Sequence, residues 1–408
     1  DLSYLVRIGD NVPNFFLIIK KKNLSLIFII MLPFIYKKLF KIIASNKLIL
    51  IYFVWVLCLT ITSYFVSKLL GYKPRFSNEV RTIEQLGGLI LGIVFGYLIF
   101  NLIIFKQKLL TRNIKFSIFI VFCGIIYQIL FHGYETIFNY RLYGITGEPK
   151  GLGLYLAAFI SALYFSTKKK NFKEILIILL CIFAMLLSKS ATAFIAFIFV
   201  FLIYIISNNN FSIRNLKNFF LILLIVIFLV IFFNNIFQFD EMILGRISDY
   251  YSGKYVETIQ EQLSFPILGS LTVEGNDFPV FYFFKENPLF IFTGIGLGQE
   301  SIYTFGYVDE FGPFGFMKPY FKGYVTPNFA LLVNTANFGL PFVIILFVWG
   351  YQIARKKTDN LTTDEKFLFY FFLSHFFISL IIFRSAVPLS ASIFILMLFS
   401  DLIIKKNS

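Results

Sequence analysis

The chain has 408 residues, of which 58% are hydrophobic and 14% are charged, and its mean hydropathy is +0.79. Soluble domains average about 45–50% apolar and about 25% charged residues. An aqueous fold of this length would have more apolar side chains than its interior could bury. The composition therefore excludes an ordinary soluble protein and predicts an all-α polytopic integral membrane protein.

The formal charge of +15 is unevenly distributed along the chain. Residues 238–326 contain 11 acidic and 5 basic side chains, a net charge of −6, whereas the rest of the chain carries +21. The lysine clusters lie between apolar segments, which the positive-inside rule explains better than a nucleic-acid partner does. No HExxH, Walker or Cys/His pattern occurs in the sequence, so we expect neither a metal nor a cofactor.

Apolar runs of about 20 residues are the length that a membrane-crossing helix needs, and they predict about 10–12 transmembrane helices here. Ten runs qualify: 48–66, 86–105, 116–131, 151–166, 175–187, 191–206, 219–237, 328–350, 367–383 and 386–404. A further run at 24–43 is interrupted by Lys37 and Lys38, and it is interpreted either as a short first span or as an interfacial helix.

Alternate connections between these runs are basic, which predicts that they are cytoplasmic. Their basic side chains are Lys106, Lys108, Arg112, Lys115, Lys168, Lys169, Lys170, Lys173, Arg214, Lys217, Arg355, Lys356, Lys357, Lys405 and Lys406. The remaining connections then face outward, including residues 71–85. That outward segment carries Lys73, Arg75 and Arg81, contrary to the positive-inside rule. It is either a chance exception to the rule or a binding site for an anionic ligand.

The acidic stretch 238–326 is too long to be a simple connection. We expect it to form a folded outer cap, with an amphipathic helix near 254–263, within a single membrane domain that comprises residues 1–408. Its acidic side chains are predicted to be mostly solvated, although one could serve as a base. They include Asp240, Glu241, Asp249, Glu300, Asp309 and Glu310.

Three outer motifs could carry chemistry. In the segment 141–153, Arg141 precedes a glycine-rich turn that could bind phosphate or carboxylate, although an interfacial arginine beside a plain turn explains it equally well. The run Gly294-x-Gly296-x-Gly298 lacks the third glycine of a dinucleotide site, so a close-packed turn is preferred. Segment 326–341 places Asn328, Asn334 and Asn337 near one helical face, either as helix-packing contacts or as a substrate groove.

Isolated polar residues are given structural interpretations. Arg384 would lie at the outer end of a span, where an interfacial anchor is the usual role. His132 at a helix end and His375 inside a span are each interpreted as hydrogen-bonded structure rather than as a base. The three cysteines lie inside apolar runs and are predicted to be small core residues.

Four segments together resemble the bacterial O-antigen polymerase and O-antigen ligase superfamily. The segment 141–153 resembles its Arg–Gly–(Asn/Glu)-Pro stretch, and Ser188-Lys189-Ser190 resembles its Ser-Arg turn. Asn287-Pro288 with the glycine run resembles its Asn-Pro…Gly-x-Gly-x-Gly motif. Pro327-Asn328…Gly339 resembles its His-Asn…Gly segment, and the absent histidine favours a polymerase over a ligase.

The resemblance implies a GT-C-like fold in the bacterial inner membrane, with one large periplasmic loop and an active site that faces the periplasm. The implied reaction transfers a growing glycan from undecaprenyl diphosphate to a lipid-linked repeat unit, so undecaprenyl-diphosphate-linked oligosaccharide is donor and acceptor. Membrane lipid and a polysaccharide chain-length regulator are the other implied partners. An O-antigen ligase and a lipid-linked glycan transporter are the alternatives.

The resemblance also suggests roles for individual residues. Arg141 and Arg246 would contact the diphosphate, with Arg384 or Arg81 assisting them. Glu148, His132 and Asp249 are the alternatives for the base. The remaining substrate-binding candidates are Asn328, Gly294, Gly296 and Gly298.

Overall fold

The computed structural model describes residues 36, 37, 40, 41, 47–71, 76–132, 142, 149–167, 171–207, 224, 263–265, 269–271, 278–303, 329–356, 358–383 and 386–407. Across these ranges the chain is helical apart from short turns and one two-stranded hairpin. The all-α class predicted from the composition is thus confirmed for the part of the chain that the structure describes.

Two long helices come first, α1 at Lys47–Leu69 and α2 at Phe76–His132. α1 is followed by Gly71 with φ +82°, a conformation that glycine adopts without strain. The backbone of α2 is non-helical at Lys106 (φ −142°, ψ 42°). An unbroken helix of its 57 residues would be about 85 Å long, against a membrane core of about 30 Å. The break therefore divides α2 into two lengths that match the predicted runs 86–105 and 116–131, although the basic connection between them is helical rather than a loop.

Three shorter helices follow, α3 at Pro149–Ser166, α4 at Phe172–Leu187 and α5 at Ala191–Ser207, and α3 packs against both of the others. α4 starts with a capping box, in which the Glu174 N–H donates to Asn171 Oδ1 at 2.8 Å and the Asn171 N–H donates to Glu174 Oε2 at 3.3 Å. Gly153 lies where α3 meets α5, and a Cβ at that position would overlap the Cβ of Ala193. The glycine therefore allows these two helices to approach closely.

The acidic stretch contributes an antiparallel hairpin of β1 (Leu263–Phe265) and β2 (Gly269–Leu271), followed by α6 (Phe278–Glu286), α7 (Leu289–Thr293) and α8 (Glu300–Tyr303). We call residues 278–303 the cap segment. Phe283, Ile295 and Tyr303 of this segment pack together in a small apolar core that also includes Ala336. The predicted amphipathic helix 254–263 lies outside the described residues except for Leu263, which begins β1.

The predicted run 328–350 is not one continuous helix, and that expectation was wrong. It consists of α9 (Ala330–Phe338) and α10 (Leu340–Ala354), which are bent by 116° relative to each other. Gly339 between them has φ +85° and ψ 145°. Pro341 has no N–H to donate and its ring would collide with a carbonyl in a preceding helical turn, so the helix cannot continue unchanged through this position.

The chain then forms α11 (Thr363–Phe377), a π-helical turn (Ile378–Ile382) and α12 (Ala386–Asn407). Phe383, directly after the π-helical turn, forms an isolated antiparallel bridge with Phe329. α12 packs along α2, and α11 packs along α3. The large apolar core is therefore shared between the first and the last helices of the described chain.

Among the residues that the structure describes, three helical segments are long and apolar enough to cross a membrane: Leu50–Leu69, Gln85–Leu130 and Thr363–Ile382. The bent pair α9–α10 makes a fourth if it counts as one span. The predicted run 219–237 lies outside the described residues apart from position 224, and most of the run 24–43 does also. Of the three cysteines, Cys181 is buried as predicted, whereas Cys58 and Cys123 are exposed on their helices.

The bundle has two chemically different ends. At one end, which we call the basic end, Lys406 forms an ion pair with Glu365 at 2.7 Å and Lys356 contacts Ser400. The opposite end carries the cap segment, the turn Ser188–Ser190 and the Phe329–Phe383 bridge, and we call it the capped end. The candidate functional residues that the structure describes lie at this capped end.

Candidate functional site

The glycine run of the cap segment is inserted between α1 and the break that separates α9 from α10. Gly294, Gly296 and Gly298 have φ values of +73°, +90° and +72°. A Cβ on Gly294 would lie 2.6 Å from the Gly339 nitrogen, and one on Gly296 would lie 2.6 Å from Thr60 Cα. The close-packed turn that the sequence favours is confirmed. All three glycines adopt a backbone conformation that other residues rarely adopt, and Gly294 and Gly296 also leave no room for a Cβ atom.

Hydrogen bonds hold the run in that place. The Ile295 N–H donates to the Ala336 carbonyl at 2.6 Å, and the Leu297 N–H donates to Thr60 Oγ1 at 3.0 Å. The first of these bonds pairs with a carbonyl in the last turn of α9, which has no partner within its own helix once that helix ends. The cap segment therefore completes the hydrogen bonding of the broken helix.

The end of the cap segment is anchored to the outgoing end of α1 and the first turns of α2. The Tyr303 hydroxyl donates to the Ser63 carbonyl at 2.9 Å, and Gln299 Nε2 donates to Thr82 Oγ1 at 3.1 Å. Gln299 is fully buried and Glu300 is 1% exposed. Glu300 is therefore an exception among the cap acids, which were predicted to be mostly solvated, because the segment that carries it is packed against three helices.

The polar face predicted for α9 is buried. Asn334 Nδ2 donates to the carbonyls of Ser379 and Leu380 at 3.0 and 2.8 Å, in the π-helical turn that lacks normal helical pairing. This is the helix-packing role that the sequence analysis left open. Asn337, one turn further, is 5% exposed, and its Oδ1 accepts no hydrogen bond from any described residue.

A small cavity lies beside this face. Its polar lining consists of Tyr52, Gln85, Asn334, Asn337 and Ser390, and its apolar lining includes Leu89, Leu297 and Phe338. Its free volume is about 10 Å³, which is room for about one water molecule. The cavity thus lies where α1, α2, α9, α12 and the cap segment meet.

A second polar feature at the capped end is the tight turn Ser188-Lys189-Ser190 between α4 and α5. All three side chains are buried, and the Lys189 side chain is 0% exposed. Among the described residues, Lys189 is the only one other than glycine with a positive φ, at +48°. Burial lowers the pKa of the Lys189 ammonium below its ordinary value.

The turn adjoins the glycine-rich start of α3. A Cβ on Gly153 would lie 3.1 Å from Ser188 Oγ, and the Leu142 N–H donates to the Leu187 carbonyl at 3.2 Å. At the same end of α3, the Lys150 ammonium lies 4.5 Å from the centre of the Phe383 ring. The first turns of α3 therefore connect the Lys189 turn with the Phe329–Phe383 bridge and, through it, with the start of α9.

The structure describes half of the ten predicted site residues: Arg81, His132, Gly294, Gly296 and Gly298. Arg141, Glu148, Arg246, Asn328 and Arg384, together with Asp249, lie outside the described residues. Arg81 lies in the early turns of α2 and His132 is its last residue. The structure thus brings the three predicted glycines to the capped end, and the chain neighbours of Asn328 and Arg384 pair with each other.

Three groups at this end were not among the predicted site residues: Lys189, the buried Glu300, and the cavity residues Tyr52, Gln85 and Ser390. Lys189 had a signal, because a lysine flanked by serines interrupts two apolar runs. The cavity had none, because its lining comes from five separate parts of the chain. His375 lies against the Phe371 ring, with the two ring centroids 4.6 Å apart.

Comparison with known proteins finds no matching family model, no similar curated protein and no similar solved structure. The function therefore has to be argued from the residues of this chain.

Proposed function

We propose that this protein is a glycosyltransferase of the bacterial inner membrane that polymerises a surface polysaccharide. It would transfer a growing glycan from undecaprenyl diphosphate to a lipid-linked repeat unit at the periplasmic face. The observation that carries this proposal is the buried ammonium of Lys189 at the capped end of the bundle.

Lys189 is costly to the fold in two ways. A buried ammonium loses hydration, and a left-handed backbone costs a residue that carries a Cβ about 1–2 kcal/mol. Strain of this kind concentrates at functional sites, where the surrounding structure enforces it. A fixed cation in a water-poor site is the group that a diphosphate leaving group requires, because its negative charge grows as the glycosidic bond breaks.

The charge distribution supports the orientation that this function needs. Lys356, Arg355, Lys405 and Lys406 all lie at the basic end, which the positive-inside rule assigns to the cytoplasm. The capped end, with Lys189 and the cap segment, would then face the periplasm. A lipid-linked donor embedded in the outer leaflet would meet the protein at that level.

The reaction can be written with the groups at this end. A hydroxyl oxygen of the acceptor attacks the anomeric carbon of the donor glycan, and the bond from that carbon to the diphosphate oxygen breaks. The leaving diphosphate keeps the electron pair and is stabilised by Lys189. The hydroxyl proton passes to a carboxylate, for which Glu300 is the candidate, because Glu286, the other cap acid that the structure describes, is exposed.

The test is complementation of a host that lacks the gene, with the surface polysaccharide analysed on a gel and the protein level measured. Lys189→Met keeps the length of the side chain and removes the charge, and it should lower the polymerisation rate on the order of 10²–10³-fold, as loss of one transition-state donor does. Lys189→Arg should retain part of the ladder. Lys356→Met at the basic end is the matched control and should leave the ladder normal.

A full-length ladder from Lys189→Met at normal protein level would refute the assignment. Long glycan that stays on undecaprenyl diphosphate in the deletion strain would identify a ligase instead.

One observation favours a second candidate, a transporter of lipid-linked glycan. The bent pair α9–α10 is a broken helix of the type that transporters use at their substrate sites. Purified protein in proteoliposomes distinguishes the two candidates. A polymerase elongates lipid-linked repeat units without moving them, whereas a transporter moves them between leaflets without forming new glycosidic bonds.

A further inference from the structure

The cavity at the break between α9 and α10 is not used by the mechanism above. Its lining is partly apolar, and the polar groups in it are neutral: the Tyr52 and Ser390 hydroxyls and the amides of Gln85, Asn334 and Asn337. Its free volume of about 10 Å³ admits one oxygen-sized group and excludes a sugar ring or a phosphate. Its contents are therefore limited to a single small polar group.

The hydrogen bonding of the lining indicates whether that group must donate or accept a hydrogen bond. The amide nitrogen of Asn334 is already used, because it donates to two carbonyls of the π-helical turn. Asn337 Oδ1 is buried and has no donor among the described residues. A buried acceptor without a donor is unfavourable, so this side of the cavity requires a hydrogen-bond donor.

The cap segment contains a second buried acceptor of this kind. Gln299 Oε1 is also buried and without a donor among the described residues, while its amide nitrogen donates to Thr82. Thr82 and the cavity residue Gln85 are three positions apart on α2 and so share one helical face. Gln299 belongs to the cap segment and Asn337 belongs to α9, and these two segments are joined by the hydrogen bond from the Ile295 N–H to the Ala336 carbonyl.

We propose that this cavity is a binding site for one hydroxyl group, which donates a hydrogen bond to Asn337 Oδ1. A charged occupant is disfavoured because every polar group of the lining that the structure describes is neutral. The hydroxyl has two possible sources, a water molecule or a sugar of the acceptor repeat unit. The second source rests on the proposed function, and the cavity would then help to orient the acceptor beside the cap segment.

The experiment compares the wild type with Asn337→Leu, in detergent-purified full-length protein. The two probes are undecaprenyl diphosphate alone and an undecaprenyl-diphosphate-linked repeat unit extracted from a strain that cannot polymerise it. Asn101→Leu is the matched control, because Asn101 is an asparagine of α2 whose amide nitrogen donates to the Tyr97 carbonyl at 2.9 Å, away from the cavity lining. Affinity is measured by thermal stabilisation, and the cavity is inspected in an experimental density map with and without the repeat unit.

If the hydroxyl belongs to the sugar, Asn337→Leu weakens binding of the repeat unit about three- to tenfold, the usual effect of one hydrogen bond. Binding of undecaprenyl diphosphate is then unchanged, and Asn101→Leu binds both probes normally. If the hydroxyl belongs to water, the map of the free protein shows one oxygen atom within hydrogen-bond distance of Asn337 Oδ1 and the two affinities are equal in wild type and variant.

An empty cavity in both maps, together with unchanged affinities, would overturn the proposal. Failure of the proposed function is distinguishable from this result, because in that case the wild type binds neither probe while the map still shows whether the cavity holds an oxygen atom.

Discussion

The break between α9 and α10 depends on Gly339, and replacement of this glycine by alanine should be strongly destabilising. Its φ of +85° with ψ of 145° lies in a region that is essentially restricted to glycine, and a side chain forced into it costs about 1–3 kcal/mol. The added Cβ would also overlap the carbonyl oxygen of Phe292 and lie 3.0 Å from the carbonyl carbons of Phe292 and Thr293. Because these are backbone atoms of the inserted cap segment, they can move only if that segment moves.

Overpacking of this kind costs about 1–3 kcal/mol in addition. We therefore expect Gly339→Ala to lower the free energy of unfolding by about 4 kcal/mol, which is roughly a 10³-fold change in the ratio of folded to unfolded protein. Gly87→Ala is the matched control. Gly87 lies inside α2 and a Cβ there meets nothing within 4 Å. The same substitution should therefore stabilise the protein by about 0.5–1 kcal/mol.

Tryptophan fluorescence is a suitable assay, because Trp55 Nε1 donates to the Phe338 carbonyl at 2.9 Å, directly before the break. Trp349 is the only other tryptophan of the chain, so a Trp349→Phe background isolates the Trp55 signal. Gly339→Ala should lower the midpoint of thermal unfolding and shift the Trp55 emission in the folded state. Equal midpoints and equal emission spectra for Gly339→Ala and the parent would refute the account of the bend given above.

Three further predictions concern other parts of the bundle. Thr362→Ala removes the hydroxyl that caps α11 through the Glu365 N–H, so the free energy of unfolding should fall by about 1 kcal/mol, and an unchanged melting midpoint would contradict the cap. Asn334→Leu leaves two carbonyls of the π-helical turn 378–382 without their donor and should cost about 1–3 kcal/mol in the same measurement; a neutral effect would mean that other donors satisfy them. Burial lowers the pKa of Lys189 in the folded protein. Between that lowered pKa and the ordinary value of 10.5, the unfolded chain therefore binds more protons than the folded protein does. The free energy of unfolding should rise with pH across this window in the wild type and should not do so in Lys189→Met. An equal rise in both proteins would show that another group is responsible.

The helices were predictable from the sequence because their signal is local. Runs of apolar residues mark α1, α3, α4, α5 and α12 to within a few residues, and the run lengths alone indicate membrane-crossing helices. The position of the break at Lys106 was predictable, because it lies in the lysine-rich connection between two apolar runs. The conformation of that connection was not, because it was expected to be a loop and is largely helical. A helix can continue through such residues because lysine and arginine are good helix formers.

The bend at Gly339 illustrates what the sequence did not reveal. Both Gly339 and Pro341 are visible in the sequence, but glycine and proline are tolerated inside membrane helices when neighbouring groups satisfy the freed backbone. Here the donor comes from Ile295, and the shape of the bend is fixed by Gly294 and Thr293. Those contacts join positions more than 40 residues apart in the chain, so no local pattern contains them.

The burial of Glu300 was not visible in the sequence for the same reason. Glu300 follows the glycine run, and in sequence it resembles the other acids of a net negative stretch. Its burial results from the anchoring of its neighbours, Gln299 to Thr82 and Tyr303 to Ser63. The fold buries Glu300 and Lys189 at its capped end, and it pairs Glu365 with Lys406 at its basic end. Because a buried carboxylate or ammonium is tolerated only where neighbouring polar groups compensate for its lost hydration, the surroundings of Glu300 and Lys189 are set by several separate segments and no local sequence pattern contains them. These two buried groups support the proposal that the reaction occurs at the capped end.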